Sequence, residues 1–188
     1  MKRLLILAVF LIDLTFTRPT YAKDPPFDLP PKPEVLKIRS AILETSKGKI
    51  LFELFPEEAP WHVANFKYRN LSFHLREPDY LIQGGDPLGN GRGGPGYDLP
   101  AEFSARHHTI GTLGMARKPD IDSQSGKRAN PERRSNGSQF HILLGDAPHM
   151  DGQYTIFGKV VGGFDTVNRL RAGDRIIKLT VFIREGGR

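Results

Sequence analysis

Gly84-Gly85-Asp86-Pro87-Leu88-Gly89-Asn90-Gly91-Arg92-Gly93-Gly94-Pro95-Gly96 is the stretch on which the fold turns. Residues 89–94 within it match the Gly-x-Gly-x-x-Gly of dinucleotide-binding proteins. That motif works only between a parallel strand and a helix whose N-terminus faces the pyrophosphate. Here Pro95 and Gly96 follow the last glycine, and no helix of that kind starts on such a pair. No Gly-Lys-Ser or Gly-Lys-Thr occurs either. The stretch therefore reads as a tight loop that needs positive φ angles. With it goes the main support for a parallel α/β sheet.

The flanking sequence points to antiparallel strands instead. Residues 41–45 and 49–55 are strand-like, and Ser46-Lys47-Gly48 between them makes a hairpin turn. Ile50, Phe52 and Leu54 alternate along one face. Further strand-like runs cover residues 80–83, 109–117, 139–144, 153–161 and 176–184. Pro56 to Pro60 supplies acidic residues and a proline to open a helix over residues 59–70, with Val63, Phe66 and Asn70 on one side. A second helix is expected over residues 164–171, stopped by Gly173. Many short strands, two helices and Gly-rich turns favour a mainly β antiparallel barrel.

The 188 residues suit one domain with a short appendage. Lys2 and Arg3 precede an apolar run over residues 4–14 that contains Asp13, and Thr20-Tyr21-Ala22 follows with small residues at a cleavage site. This is the layout of a secretory signal peptide cut after Ala22. The run is too short to span a bilayer, so stable membrane insertion after cleavage is not expected. The expected location is the periplasm or the outside of the cell. Cleavage removes Lys2, Arg3, Arg18 and Asp13, so the formal charge of +6 falls by two but stays basic. Residues 24–33 carry five prolines and favour an extended chain, giving a tether over residues 23–34 and a domain over 35–188.

Several chemistries are disfavoured. The absence of cysteine removes disulfides, thiol nucleophiles and cysteine-ligated zinc. His107 and His108 are adjacent and no His-Glu-x-x-His occurs, so neither a metal nor another cofactor is implied. A serine hydrolase would need Gly-x-Ser-x-Gly, which is missing. Lys127, Arg128, Arg133 and Arg134 lack interleaved aromatics and surround Pro131, which reads as a solvated loop and not a nucleic-acid surface.

Gln83-Gly84-Gly85-Asp86-Pro87, Gly93-Gly94-Pro95-Gly96-Tyr97, Gly114-Met115-Ala116-Arg117, Ser135-Asn136-Gly137-Ser138-Gln139-Phe140 and Met150 through Val161 occur in one order. Together with Phe73-His74 they resemble the cyclophilins, from about Ala41 to the C-terminus. The resemblance implies a closed eight-stranded antiparallel barrel capped by two helices, with peptidyl-prolyl cis-trans isomerase activity. Its substrates would be proline-containing unfolded or flexible polypeptides, bound by a monomer. In the family an arginine donates to the prolyl nitrogen and a glutamine orients the neighbouring carbonyl. Carried over, Arg76 and Gln83 are the expected catalytic residues. His74, Tyr80, Leu81, Ala116, Arg117, Gln139, His141, His149, Met150 and Tyr154 are expected to bind substrate.

The sequence departs from the family in three places. The family's Phe-His-Arg is Phe73-His74-Leu75-Arg76 here, so ungapped counting from Gln83 puts Leu75 in the arginine slot. Either a bulge carries Arg76 into the groove, or the donor is missing. The connection from Asn65-Phe66 to Phe73-His74 is shorter than the family's by about seven residues, or about two helical turns. The loop over residues 118–134 is longer than the family's simplest form. Two other readings stay open: a proline-peptide binder or chaperone with little catalysis, and a basic adaptor docking through that loop.

Overall fold

A computed structural model describes residues 23–66 and 69–184. The signal-peptide expectation for residues 1–22 lies outside the described residues. In chain order the elements are α1 Lys32–Val35, β1 Ile38–Thr45, β2 Gly48–Leu54, α2 Pro60–Asn65, β3 Arg69–Glu77, β4 Leu81–Gly84, β5 Asp98–Leu99, β6 Thr112–Arg117, β7 Ser135–Leu143, β8 Ile156–Gly162, α3 Phe164–Arg169 and β9 Arg175–Ile183. The strands run β4-β3-β9-β1-β2-β8-β6-β7, and β4 pairs with β7 to close the ring. Every pairing is antiparallel. The result is the expected eight-stranded barrel, with the two-residue β5 attached to one end of β7.

Alternation sorts the core. Ile50, Phe52 and Leu54 of β2 are buried, while Leu51 and Glu53 between them face out. Phe66 sits at the centre, edge-on to Phe52, Phe140 and Phe157 at centroid distances of 6.0, 5.9 and 5.0 Å. Such tilted contacts suit the ring quadrupoles and add to the burial itself.

Both helices are shorter than expected. Helix α2 stops at Asn65 because Phe66 leaves helical geometry to reach the core, and Asn70, expected on the helix, has φ 57° in β3. Helix α3 stops at Arg169 because Leu170 turns extended and buries completely. In both cases a core contact overrides the helical periodicity. The proline-rich segment is not uniformly extended. Pro33 sits in the first turn of the one-turn α1, where its missing N–H costs nothing. The segment also lies along the barrel. Phe27 packs near Trp61 and Tyr97, the Lys23 carbonyl accepts the Asp98 N–H at 3.0 Å, and Asp24 pairs with Arg134 at 2.9 Å.

Candidate active site

The outer faces of β4, β7 and β6 carry the site. Gln83 of β4 and Gly114 of β6 both pair with His141 of β7, so the three share one row. Along β7, Phe140 and Ile142 enter the core, and Gln139 and His141 turn to the other face. They meet a cleft of about 420 Å³. Gly114 is required there, because a Cβ would run into the His141 imidazole.

One end of the cleft is apolar. Leu81, Leu143, Ala147 and Met150 form a small buried cluster, with Tyr80 and Tyr154 against it. His141 is fully buried at its floor. Burial, with His108 behind it, pushes its imidazole down to about 3, so it is neutral at physiological pH. His108 is itself lowered by burial, against the pull of Asp151. Asp151 accepts from His107 and from the N–H and ring of His108, which hold its carboxyl well below the usual range. Among the described residues no group of three or more His, Asp or Glu side chains is placed to hold a metal.

The other end is polar and tightly ordered. Gln139 Nε2 donates to the carbonyls of Gly91 at 3.0 Å and Gly93 at 2.7 Å. Its Oε1 therefore accepts from Gln83 Nε2 at 2.8 Å. Gln83 Nε2 also lies 3.3 Å from His74 Nε2. Burial lowers the His74 imidazole, so it is neutral and accepts this bond. Both N–H groups of Gln83 are thus occupied, and its Oε1 is what remains to meet a ligand. The glycine loop is held by Asp86, which accepts from the N–H groups of Leu88, Asn90 and Gly91 at 2.9, 2.9 and 2.6 Å. Burial alone would raise this carboxyl, but the backbone N–H groups keep it low.

Of the expected residues, Tyr80, Leu81, Gln83, Ala116, Arg117, Gln139, His141, Met150 and Tyr154 line the cleft. His149 stacks on Tyr80 outside it and bonds the Tyr80 hydroxyl at 3.0 Å. His74 is a step back, behind Gln83. Arg117 is spent on structure: Nε donates to the Gln153 carbonyl at 2.7 Å, Nη1 bonds Asp120, and the guanidinium stands 5.0 Å over the Tyr154 ring.

Arg76 corrects the expectation. A bulge is present, but its extra residue is His74: Phe73 pairs with Gly84, and Leu75 already pairs with Gln83. Leu75 therefore takes the cleft face and Arg76 follows Ile82 to the other side. There, among the described residues, Arg76 Nη1 is buried without a hydrogen-bond partner, and burial and then Arg171 lower the guanidinium. Without the bulge, His74 would pair with Gln83 and Arg76 would share the cleft face with Leu81. The bulge thus acts opposite to the rescue considered from the sequence. Arg92, Lys118 and Asn136 line the cleft without having been singled out. Arg92 was hidden in a loop notable only for glycine.

Residues 40–184 match the family model described as "Cyclophilin type peptidyl-prolyl cis-trans isomerase/CLD". A peptidyl-prolyl cis-trans isomerase of Synechococcus elongatus is 39% identical over 150 residues, covering 75% of this chain and 94% of that protein. One from Helicobacter pylori is 34% identical, covering 79% and 90%. A crystal structure of a Cryptosporidium parvum cyclophilin-type isomerase, in the presence of the dipeptide Ala-Pro, superposes with a TM-score of 0.65 at 30% identity. It covers 78% of this chain and all of that one.

Proposed function

The chain belongs to the cyclophilin-type peptidyl-prolyl cis-trans isomerase family and is a peptidyl-prolyl isomerase, and from that premise we propose that it accelerates Xaa-Pro isomerisation in exported polypeptides. The observation that carries this reading is the join of two surfaces. An apolar end of Leu81, Met150, Tyr80 and Tyr154 fits a pyrrolidine ring, and the fixed amide of Gln83 stands beside it. The Ala-Pro dipeptide with the Cryptosporidium relative supports a proline ligand. Lys2, Arg3, the apolar run and Thr20-Tyr21-Ala22 support export.

Isomerisation needs no acid, base or nucleophile. The barrier of about 18–20 kcal/mol is lost amide resonance. The planar amide is the more charge-separated form and the better solvated by water. A poorly hydrated pocket therefore favours the twisted state in which that separation is lost. Met150, Leu81 and neutral His141 supply such surroundings. Among the described residues, Leu75 stands opposite Gln83 where the family's arginine is expected, and both N–H groups of Gln83 are engaged, so neither residue donates to the prolyl nitrogen. This favours a second reading, a proline-peptide binder with weak turnover.

Magnetisation exchange across the prolyl bond of a short Ala-Pro peptide, with the chain from Lys23 onward, separates them. Exchange much faster than the spontaneous time of about tens to hundreds of seconds supports the isomerase. Saturable binding with only slight acceleration supports the weak-turnover binder, and the absence of both acceleration and binding would end both readings. N-terminal sequencing of the protein recovered outside the cytoplasm of its native host should begin at Lys23.

A further inference from the structure

The cleft does not end at the proline pocket. A second cavity of about 290 Å³ shares Arg92, Gly93, Lys118 and Asn136 with it, so the two are continuous. Its other walls include Lys23, Gly94 and Asp98. Three cations thus face one carboxylate. Asp98 is largely covered and already meets Lys118 Nζ at 3.4 Å. Neighbouring carboxylates are committed too: Asp24 to Arg134, and Asp120 to Arg117 and Arg133. Arg92 and Lys23 are exposed, and among the described residues their side chains have no hydrogen-bond or ion-pair partner.

Both are held where they are by the backbone. Arg92 rides the glycine loop that Asp86 anchors, and its own N–H donates to Asn90 Oδ1 at 3.0 Å. Lys23 is pinned to β5 through its carbonyl. Lys118 opens the basic loop, whose base is closed by Asn130: its amide donates to the carbonyls of Lys118 at 3.3 Å and Arg134 at 2.9 Å. Gly93 and Gly94 keep the cavity floor low. A Cβ at Gly94 would stand 3.1 Å from the Asn136 amide.

We propose that this second cavity reads an acidic side chain close to the proline, so that the preferred substrates are Pro-containing segments with Asp or Glu at a nearby position. The inference rests on the isomerase-or-binder reading of the adjoining pocket and adds the charge class of its substrates. A carboxylate seated there faces two unpaired cations across water, an attraction on the order of tenfold between Glu and Lys at low salt. Solvent ions screen such a contact when the salt rises to about 0.5 M, where the Debye length drops to a few ångströms.

The test uses Ala-rich peptides with one proline and with Glu, Gln or Lys placed in turn at each nearby position. Dissociation constants come from chemical-shift titration at about 20 mM and about 0.5 M salt. At one position at least, Glu should bind about tenfold tighter than Lys at low salt, and the gap should close at high salt. The Arg92→Glu, Lys23→Glu protein should invert the order. Equal affinities for Glu, Gln and Lys at every position would overturn the inference while leaving proline binding intact. Failure of all peptides, Gln included, to bind would bring down the parent reading with it.

Discussion

Leu75→Arg should raise turnover by about 10²–10³. The figure is the usual worth of one preorganised donor in a poorly hydrated site, taken here as a gain. The geometry admits it. Leu75 pairs directly with Gln83 and so shares its face, and at 37% exposure the position can take a longer side chain without displacing the core. Gln83 would hold the peptide through Oε1 while the new guanidinium supplies the missing N–H. Folding stability should change by less than about 0.5 kcal/mol, as expected for a surface exchange. The assay is prolyl exchange under subsaturating peptide, read as kcat/KM, for wild type, Leu75→Arg, Leu75→Lys and Arg76→Leu. Lysine brings charge without the planar fork and should recover much less. Arg76→Leu should exchange as wild type does. A Leu75→Arg protein that folds and gains less than about threefold would refute the reasoning. So would a loss of about tenfold or more in Arg76→Leu, since that would put Arg76 in the cleft.

Other outcomes follow from the same contacts. Arg76→Met should stabilise the fold by about 1 kcal/mol in urea titration, because among the described residues Nη1 is buried without a hydrogen-bond partner and the charge of Arg171 repels it. Stability should fall as pH drops from about 7 to about 5. The folded His141 stays neutral down to about 3 while the unfolded residue takes up a proton near its ordinary value of about 6.5, so acid favours the unfolded chain by about 2 kcal/mol over that window. His141→Phe should remove that part of the slope in chemical denaturation at several pH values and leave the smaller parts from His108 and His74, which burial also lowers. Asn65→Ala should cost about 1–3 kcal/mol, because its amide donates to the Gly137 carbonyl at 2.7 Å and accepts the Tyr97 hydroxyl at 2.6 Å in a buried place.

The barrel was legible because alternation and turn chemistry are local. Ile50, Phe52 and Leu54 declare a face without reference to any other strand. Failures came where distant contacts decide. Phe66 ends α2 early by entering a core assembled from β2, β7 and β8, and no window of sequence around it contains those partners. Phe27 ties down a proline-rich segment through Trp61 and Tyr97, which lie far along the chain. Most cleft residues were found because they sit in recognisable blocks, and Arg92 was missed because glycines around it carried the whole signal.

The catalytic slot shows the same division more sharply. Counting back from Gln83 put Leu75 in the arginine place, and the pairing sets Leu75 directly opposite Gln83, on the same face. Counting could not say what the intervening residues do, because one bulge moves every later side chain to the other face. The bulge at His74 does two things at once. It turns Leu75, and not Arg76, to the face of the sheet that carries Gln83, and it leaves the imidazole placed to take the second N–H of Gln83. A donor is therefore lost twice, once by substitution and once by sequestration. Restoring only the guanidinium leaves Gln83 an acceptor. Leu75→Arg combined with His74→Phe would free a Gln83 N–H as well, so the double variant should exceed Leu75→Arg alone. Equal rates in the two proteins would mean that the His74 bond does not restrain the glutamine in the bound state.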